Sequence, residues 1–488
     1  MASATGCRFI DLDAEIEKNA AMTVGEIFRT RGEAAFREME LAAIENLCGD
    51  AIIALGGGAL LSPPARKAAE NSGKIVCLDC SIDELRKRTG ASSARPLLCG
   101  DGDRLSKLLD SRKSHYASFP LHLDATNLSV NEAAWELQKI FGIYSIKAGG
   151  ESCTARVGAG IVQDITSAVD CPHCVVVGDS NTFKLYGAQI VESLKKKGIA
   201  AYGHTIPAGE ETKTLETVNG IWKAFLNAGI ERTDTVIAVG GGVVGDMTGF
   251  AASCWLRGID WINVPTSLLA MVDSSIGGKT GCDIPDAKNM IGAFHQPVKV
   301  FADVGFLRTL EHRELMCGLA EAVKHAIIAD PPLAKEIPAF LDAVKKLPDP
   351  ENAEKVAAFV SRAMAVKIKI VNSDPFEKSG ERAKLNLGHT VGHALEIATR
   401  FQMKHGEAVA AGMAVEAALA ARRTGSDIDL RIKEVLESAG LPCKMPDGIS
   451  FEDLIPIMRR DKKNKDGKIG FALPFAFGDV RLARDILP

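Results

Sequence analysis

The sequence predicts an α/β protein whose C-terminal part is mostly helical, and three patterns carry this prediction. Short apolar, β-branched runs such as AIIALGGG and DTVIAVGGG recur through the first part of the chain, and segments of helical periodicity separate them. That alternation is typical of βαβ units and a parallel sheet. From about Leu307 onward the apolar residues follow helical spacing. At 488 residues the chain is long enough for two to four domains.

The first block, residues 1–142, is predicted to form an α/β domain. The strand RFIDLD comes first, followed by a helix over Val24 to Asn46, the strands AIIALGGG and KIVCLD, and a closing helix, VNEAAWELQKIFG. Strands joined through helices pair in parallel.

The second block divides into an α/β domain over residues 143–306 and a helical domain over residues 307–488. The α/β part begins at YSIKAGGESCTARVGAG and continues through CVVVGDSNTF and DTVIAVGGGVVGD to INVPTS. Three long segments, GLAEAVKHAII, AEKVAAFVSRAMAVKIKIV and HGEAVAAGMAVEAALAARR, lack strand-like alternation and predict helices.

Composition excludes several classes of function. Hydrophobic residues make up 46% of the chain and charged residues 25%, and the net charge of −4 gives no reason to expect nucleic acid or an anionic membrane as partner. Glycines interrupt the apolar runs well below the roughly 18 residues that a membrane span needs. The start MASATGCRF lacks the pattern of a secretory signal. We therefore expect a cytoplasmic protein.

The twelve cysteines are scattered through the chain, and reduced thiols are the expectation. One spacing, CPHC at Cys171 to Cys174, is that of a redox pair or half a zinc site. Because a strand follows it directly, we expect no function for it.

Three histidines predict a metal site. In LNLGHTVGHALEIA, His389 and His393 lie four residues apart on one expected helix face, and KHGEAVAAG adds His405 at the start of the next helix. A bare HxxxH pair more often packs between helices than binds an ion. The third histidine, followed by Gly-Glu, and the acid-and-base helix GLAEAVKH favour metal binding.

From about Tyr144 to Pro488 the chain resembles 3-dehydroquinate synthase, through PAGEETKT, GGGVVGDMTGF, RGIDWINVPTSLLAMVDSSIGGKTGCD, DAKNMIGAFHQP, GLAEAVKH, LNLGHTVGHA, HGEAVA and RDKKN. The resemblance implies Glu321, His389 and His405 as ligands of Zn²⁺ or Co²⁺. It makes His393 a proton-handling residue or a partner of the ligands. It also implies a homodimer.

The glycine loop AVGGGVVGD follows an expected strand, and glycines there let the backbone approach a pyrophosphate at a helix start. A triple glycine alone is weak evidence, but the resemblance makes the loop part of an NAD site. The NAD residues it implies are Asp179, Asn181, Glu210, Lys213, Gly242, Val243, Val244, Gly245, Asp246, Thr266, Ser267, Lys279, Lys288, Phe306 and Thr309.

DSSIGGKTG ends like a phosphate-binding P-loop, but Asp273 stands where that pattern requires glycine. We therefore interpret it as the synthase motif, in which Asp273 and Lys279 face the nicotinamide and substrate.

The implied reaction converts a phosphorylated keto acid, 3-deoxy-D-arabino-heptulosonate 7-phosphate, into 3-dehydroquinate and phosphate, which makes the enzyme a carbon–oxygen lyase acting on a phosphate. NAD takes up a hydride and later returns it. A substrate with a carboxylate and a phosphate needs cations around it. The resemblance supplies, besides His393 and Asp273, the catalytic residues Arg257, Lys279, Lys324, Lys367, Arg382, Lys462 or Lys463, and Asn289, with Asn386 as a further hydrogen-bonding partner. Around Lys367 to His389 the spacing is one residue longer than usual in the family.

Residues 1–142 resemble shikimate kinase through FIDLDAEIE, GEAAFRE, ALGGGAL, RPLL and SRKSHY. The residues implied for shikimate, magnesium and the ATP lid are Asp11, Asp13, Arg37, Gly57, Gly58, Arg95 and Arg112. The G-x-x-x-x-G-K-[ST] loop and strand of such a kinase do not precede FIDLD here. We therefore expect an incomplete P-loop-kinase-like sheet and no kinase activity, since phosphoryl transfer depends on that loop.

Four hypotheses about function follow from these observations. The leading one is an active synthase with a kinase-like remnant. The second is a bifunctional kinase and synthase whose P-loop lies upstream of this sequence. In the third, the first block is a non-catalytic module that binds shikimate. The fourth is a related metal-dependent polyol dehydrogenase, which would release NADH.

Overall fold

The computed structural model describes residues 1–47, 49–89, 103–148, 150–285, 287–459 and 468–484. The chain forms two compact units, Met1–Phe141 and Gly142–Pro488. The α/β fold class predicted from the sequence is confirmed, and the further division near residue 306 stays a prediction. Among the described helices, none is long and apolar enough to cross a membrane.

The first unit alternates short strands with helices. Its elements are α1 (Ala2–Thr5), β1 (Arg8–Asp11), α2 (Leu12–Ala20), α3 (Val24–Glu45), β2 (Ala51–Ala54), α4 (Pro63–Ser72), β3 (Cys77–Asp79), α5 (Ile82–Thr89), α6 (Asp103–Tyr116), β4 (His122–Asp124) and α7 (Val130–Phe141). The strands form two separate parallel pairs, β1 with β2 and β3 with β4. Both pairs of described strands are parallel, as expected for strands joined through helices.

Local sequence explains where these helices begin. Asp11 ends β1 and caps α2, its Oδ1 accepting the backbone N–H groups of Asp13 and Ala14 at 3.1 and 3.3 Å. Thr23 and Glu26 form a reciprocal capping box at the start of α3. Gly32 has a φ of 80° and kinks α3, so the segment expected as one continuous helix is two helical stretches.

The second unit begins with an α/β layer. Its elements are β5 (Ile143–Ala148), β6 (Glu151–Gly158), α8 (Ile165–Ala168), β7 (His173–Asp179), α9 (Ala188–Lys196), β8 (Ala200–Ile206), α10 (Leu215–Asn227), β9 (Thr235–Gly240), α11 (Gly242–Cys254), β10 (Asp260–Pro265), β11 (Lys279–Ile284), β12 (Ala287–Phe294) and β13 (Lys299–Asp303). Seven strands form one sheet in the order β5-β6-β13-β10-β9-β7-β8. Its ladders are parallel except β5 with β6, which is antiparallel.

The rest of the second unit is mainly helical. Its elements are α12 (His312–Ala329), α13 (Pro331–Lys345), α14 (Pro350–Ser373), α15 (His389–Ala398), α16 (His405–Thr424), α17 (Ile428–Ser438), α18 (Phe451–Met458), β14 (Phe471–Ala476) and β15 (Asp479–Ala483). Glycines let three of these helices approach closely. A Cβ on Gly406 would overlap the backbone of Cys317 in α12, and one on Gly412 would overlap the carbonyl of Gly388 before α15.

Two antiparallel hairpins depart from the sequence expectation. The strands β11 and β12 pair after the α/β layer, and β14 and β15 pair within the region expected to be helical. Both ladders contain a shift in register, and β14 contains Pro474, so neither sequence shows regular alternation. The first hairpin matters for function because it carries Lys279, Lys288 and Asn289.

Candidate active site

Three side chains predicted as metal ligands meet where α12, α15 and α16 pack together. Glu321 lies within α12, while His389 and His405 are the first residues of α15 and α16. Glu321 Oε1 lies 3.6 Å from His389 Nε2 and 3.3 Å from His405 Nε2. Donors about 2.0–2.2 Å from a tetrahedral zinc ion are separated by about 3.3–3.5 Å. The spacing therefore suits a single ion.

The surroundings of Glu321 also fit a metal. The residue is 1% exposed, and its Oε1 has no hydrogen-bond partner of acceptable geometry among the described residues. Burial lowers the pKa of His389 well below its usual value, which keeps this imidazole neutral and able to ligate. Although burial opposes protonation, the nearby carboxylates of Glu321 and Glu396 raise the pKa of His405 to about 10. Carboxylates that favour an imidazolium there also favour a metal cation.

His393 lies beside this cluster, its ring centroid 5.4 Å from that of His389 and 6.1 Å from that of His405. A second triad of donor atoms, from His393, Glu396 and His405, shares His405 with the first. Glu396 is 9% exposed, and its Oε1 lies 3.5 Å from His405 Nδ1. A carboxylate in that position orients the imidazole and leaves Nε2 directed at Glu321.

The Glu396→Gln variant is expected to bind Zn²⁺ about 10- to 100-fold more weakly than the natural chain, because a neutral amide holds His405 less firmly. Titration with a competing chelator measures the affinity, and the unfolding temperature checks the fold. Glu437→Gln, on the exposed face of α17, is the matched control. Unchanged zinc affinity in Glu396→Gln would contradict the orienting role.

A second cluster centres on Asp273. Its Oδ1 lies 2.7 Å from Lys367 Nζ, 3.7 Å from Lys324 Nζ and 3.4 Å from His325 Nε2. Although burial opposes ionisation, Lys324 and Lys367 hold the pKa of Asp273 well below its usual value. Lys324 also contacts the Glu321 carboxylate, so the two clusters are connected.

Lys324 and Lys367 differ in how their charges are supported. Burial opposes the charge on Lys324, but Asp273 and Glu321 raise its pKa above the ordinary value. Burial lowers the pKa of Lys367 to about 8, and the attraction of Asp273 offsets this only in part. Lys324 is thus a permanent cation, whereas Lys367 titrates just above neutral pH.

Two further cations adjoin this cluster. Lys279, at the start of β11, contacts Glu377, and Arg382 lies 3.5 Å from the same carboxylate. Arg382 is 2% exposed and donates to the carbonyl groups of Pro375 and Gly277. The predicted substrate cations Lys279, Lys324, Lys367 and Arg382 therefore belong to one network that includes Asp273 and Glu377.

Most of the predicted NAD residues lie at one edge of the large sheet, where four adjacent strands end. Asp179 ends β7, Glu210 and Lys213 follow β8, Gly242 to Asp246 open α11 after β9, and Thr266 and Ser267 follow β10. The carboxyl edge of a parallel sheet is where such folds bind nucleotides. Asp179 Oδ1 accepts the N–H groups of Asn181 and Thr182, each at 2.8 Å, which fixes this turn.

The glycines at the start of α11 face a small recess. Its wall includes Gly241, Gly242, Gly245, Asn263 and Ser274. A Cβ on Gly242 would lie 3.0 Å from Ser274 Oγ, and one on Gly245 would lie 3.2 Å from Asn263 Nδ2. Side chains larger than glycine would therefore crowd the recess. An open backbone at a helix start fits the pyrophosphate of NAD.

Lys213 connects this edge to the hairpin. It is 4% exposed, and its ammonium donates to Asp246 and Asn289, both at 2.6 Å. Asn289 has a φ of 55°, and its backbone N–H donates to Asp283 Oδ1 at 2.6 Å. Lys288, the next residue back, lies 3.7 Å from Glu210. The hairpin is thereby held over the nucleotide edge by residues predicted for cofactor and substrate.

Several predicted residues stand apart from these clusters. Arg257 lies in an exposed turn with a φ of 71° and makes no side-chain hydrogen bond with the described residues. Phe306 and Thr309 both contact Tyr186, Phe306 through a ring-centroid distance of 4.3 Å. Lys462 and Lys463 lie outside the described residues. The roles of these residues stay predictions.

Sequence reasoning missed four supporting residues. His325 is fully buried against Asp273, and its place directly after Lys324 in GLAEAVKH was an available signal.

Glu416 is also fully buried and accepts the N–H of Gly388 at 2.7 Å, which fixes the residue before His389. Asp374 accepts four backbone N–H groups of the loop leading to Arg382. Glu396 and Glu416 gave no signal beyond helical spacing.

The first unit brings together most of its predicted substrate residues around Gly57 and Gly58. Arg112 Nη1 and the Tyr116 hydroxyl donate to the Gly57 carbonyl at 3.2 and 2.7 Å. A Cβ on Gly58 would lie 2.7 Å from Arg37 Nη2. Arg37 pairs with the buried Glu40 at 2.6 Å and with Glu33 at 2.9 Å.

The remaining predicted residues of this unit are Asp11, Asp13 and Arg95. A Cβ on Gly56 would lie 3.4 Å from Asp13 Oδ1, so Asp13 belongs to the same group. Asp11 serves as the helix cap described above. Arg95 lies outside the described residues.

Family models match residues in both units. The model for the 3-dehydroquinate synthase N-terminal region matches residues 203–317, and the C-terminal model matches residues 318–464. The shikimate kinase model matches residues 1–141. A 3-dehydroquinate synthase of Symbiobacterium thermophilum is 43% identical over 352 residues, covering 70% of this chain and 97% of the relative. One of Synechocystis sp. is 42% identical, covering 63% and 86%.

Solved structures with the same fold include two synthases. A 2-epi-5-epi-valiolone synthase from Streptomyces hygroscopicus, with NAD⁺ and Zn²⁺ bound, is 28% identical with a TM-score of 0.62, covering 69% of this chain and 94% of that one. A 2-deoxy-scyllo-inosose synthase complexed with carbaglucose-6-phosphate, NAD⁺ and Co²⁺ is 25% identical with a TM-score of 0.62, covering 70% and 96%.

Proposed function

The chain belongs to the 3-dehydroquinate synthase family, and we propose that the clusters of its second unit perform that family's reaction. The enzyme is a lyase that acts on a small-molecule substrate and converts 3-deoxy-D-arabino-heptulosonate 7-phosphate into 3-dehydroquinate and phosphate. NAD and a Zn²⁺ or Co²⁺ ion are its cofactors. The observation that carries the assignment of residues is the direct contact between the Glu321 metal cluster and the Asp273 cation cluster.

Each cofactor supplies one kind of chemistry. The glycine-rich start of α11 would hold NAD, which would supply reversible hydride transfer. Glu321, His389 and His405 would hold the ion, whose Lewis acidity would make the proton of a substrate hydroxyl easier to remove. That contribution would lower the cost of negative charge on the substrate oxygen.

The chain's own residues bind and orient the substrate. Lys279, Lys324, Lys367 and Arg382 supply positive charge for a carboxylate and a phosphate, and Asp273 and Glu377 fix where those charges lie. The burial of Lys324, Lys367 and Arg382 strengthens their attraction to an anion, since few waters screen it. His393, beside the metal cluster, is positioned to take or deliver a proton at its ring nitrogens.

The titration of Lys367 predicts an alkaline limit to activity. Because the pKa of Lys367 is lowered to about 8, the side chain carries a charge below that pH and loses it as the pH rises through 8. We therefore expect kcat/KM, which reports the enzyme before substrate binds, to fall above about pH 8. In Lys367→Arg the cation no longer titrates, and this decline should disappear.

A pH profile of kcat/KM for both proteins checks this expectation. Lys369→Arg, at an exposed position two residues along α14, is the control and should keep the alkaline decline. The same midpoint in the natural chain and in Lys367→Arg would contradict the assignment of Lys367 as the titrating substrate cation.

The direct test is to incubate the full chain with the heptulosonate phosphate, NAD and Zn²⁺, and to identify 3-dehydroquinate and phosphate as products. Absence of product from metal-loaded protein would overturn the proposed reaction. A polyol dehydrogenase would instead accumulate NADH without releasing phosphate.

For the first unit we propose shikimate binding through the residues grouped around Gly57 and Gly58. The support is the match to the shikimate kinase model and the convergence of Asp13, Arg37 and Arg112 on those glycines. Calorimetry with shikimate, with and without ATP, separates the alternatives. Binding without ATP consumption supports a non-catalytic module, ATP consumption supports a kinase, and no binding would contradict both.

We also propose that the protein is a cytoplasmic homodimer, on the support of its family membership. Light scattering of the purified chain measures the oligomeric state. A monomer at the protein concentration used in the activity assay would contradict the dimer.

A further inference from the structure

A cluster of thiol, carboxylate and imidazole side chains lies in the first unit, where β3 and β4 pair in parallel. The register sets Cys77 opposite His122 and Asp79 opposite Asp124. Because side chains alternate between the two faces of a strand, these four residues share one face. None of them belongs to the group around Gly57, and the reaction of the second unit uses none of them.

Three of these side chains converge closely. Cys77 Sγ lies 3.7 Å from Asp79 Oδ1, and His122 Nδ1 lies 2.7 Å from Asp79 Oδ2. One donor atom from each of the three lies within 4.8 Å of the others. Ligands of a tetrahedral zinc ion are about 3.3–3.7 Å apart when the bonds are about 2.0–2.3 Å. The thiol and Asp79 Oδ1 already have that separation, whereas His122 Nδ1 lies closer to the other carboxylate oxygen, Oδ2, and must move away from it when an ion binds.

The orientation of His122 supports the same conclusion. Its Nε2 lies 2.8 Å from the carbonyl oxygen of Phe119, which can only accept a hydrogen bond, so Nε2 carries the proton. Nδ1 then faces Asp79 either as a second N–H donor or with its lone pair directed at a cation. A backbone carbonyl that fixes the tautomer in this way is a common partner of metal-binding histidines.

We propose that Cys77, Asp79 and His122 bind a divalent transition-metal ion, with Zn²⁺ suited to this mixture of sulfur, oxygen and nitrogen donors. The side chains of Asp79 and His122 are 45% and 34% exposed, so an ion can enter from solvent and keep water in its open coordination position. Cys77 is partly buried.

Binding releases protons in a balanced exchange. Burial, reinforced by Asp79, raises the pKa of the Cys77 thiol to about 11, so the thiol is protonated before the ion arrives. The hydrogen bond to Asp79 raises the pKa of His122, so below that pKa its Nδ1 carries a proton too. Coordination replaces S–H by a metal–sulfur bond and N–H by a metal–nitrogen bond, and it delivers these protons to solvent.

Cobalt(II) makes a selective probe, because a thiolate ligand gives an intense near-ultraviolet charge-transfer band that oxygen and nitrogen ligands do not give. The cluster of Glu321, His389 and His405 contains no sulfur, so the two sites differ in spectrum. With the full chain we expect two Co²⁺ ions per chain and a thiolate band. Cys77→Ser and His122→Gln should each bind one ion per chain, and Cys77→Ser should lose the band.

Two controls keep the result decisive. Cys7→Ser changes a partly buried thiol outside the cluster and should keep both ions and the band. His405→Ala should keep the band while losing the ion of the second unit. One ion per natural chain with no thiolate band would overturn the proposal, and so would a band that survives in a folded Cys77→Ser protein. The first of these outcomes is measured on the natural chain alone, so it tests the proposal even if a variant misfolds.

Discussion

Glu321→Gln is expected to abolish most of the synthase activity together with most of the bound metal. The substitution keeps the shape of the side chain but replaces an anionic ligand by a neutral amide in a site that is 1% exposed. Loss of a residue that only orients a ligand costs about 10- to 100-fold in metal affinity or activity, so loss of the ligand itself should exceed about 100-fold. The same change leaves the Lys324 ammonium without its nearest carboxylate.

Metal content and kcat measured on the same preparation check this expectation. Glu314→Gln provides the control, since Glu314 lies two turns earlier on α12 and pairs on the surface with Lys404 at 2.8 Å. It should keep its metal and its activity. Full zinc occupancy in Glu321→Gln would show that this carboxylate is not a ligand.

Asp273→Asn is expected to destabilise the fold as well as stop the reaction. Asp273 is the shared partner of Lys324, Lys367 and His325, and Lys324 and His325 are almost completely buried. Removing one partner of a buried ion pair costs about 3–5 kcal/mol, because it leaves the other charge uncompensated. Since the Asp273 side chain is 18% exposed, we expect the lower end, about 3 kcal/mol.

Urea unfolding of the substrate-free protein measures that loss. Asp342→Asn is the control, because Asp342 and its partner Lys346 are more than half exposed. Surface pairs of this kind contribute at most about 1 kcal/mol. Equal stabilities of the two variants would contradict the role of Asp273 as the central anion of the cation cluster.

The parts of the molecule that sequence predicted well are those that local patterns control. Glycines at the start of α11 follow a buried strand, and His389 and His405 begin helices, so the expected positions needed only strand and helix periodicity. The parallel sheet follows from the alternation of strands and helices. The order of its strands did not follow, because that order depends on contacts distant in sequence.

Long-range pairing explains what sequence could not supply. Lys367 and Asp273 are 94 residues apart, and nothing local in either segment indicates that they meet. The hairpin β11–β12 lacks regular alternation, so its role in placing Lys279, Lys288 and Asn289 appears only in three dimensions. Buried acids such as Glu396 and Glu416 fall on helix faces that sequence alone marks as ordinary.

One site in the second unit is proposed to use NAD and a metal to release phosphate from the heptulosonate phosphate. Parallel recording of phosphate, 3-dehydroquinate and NADH absorbance during turnover of the full chain tests it most directly. We expect one phosphate for each 3-dehydroquinate and no NADH accumulating beyond the enzyme concentration. NADH that rises in step with substrate consumption, with no phosphate released, would contradict the claim and identify a dehydrogenase.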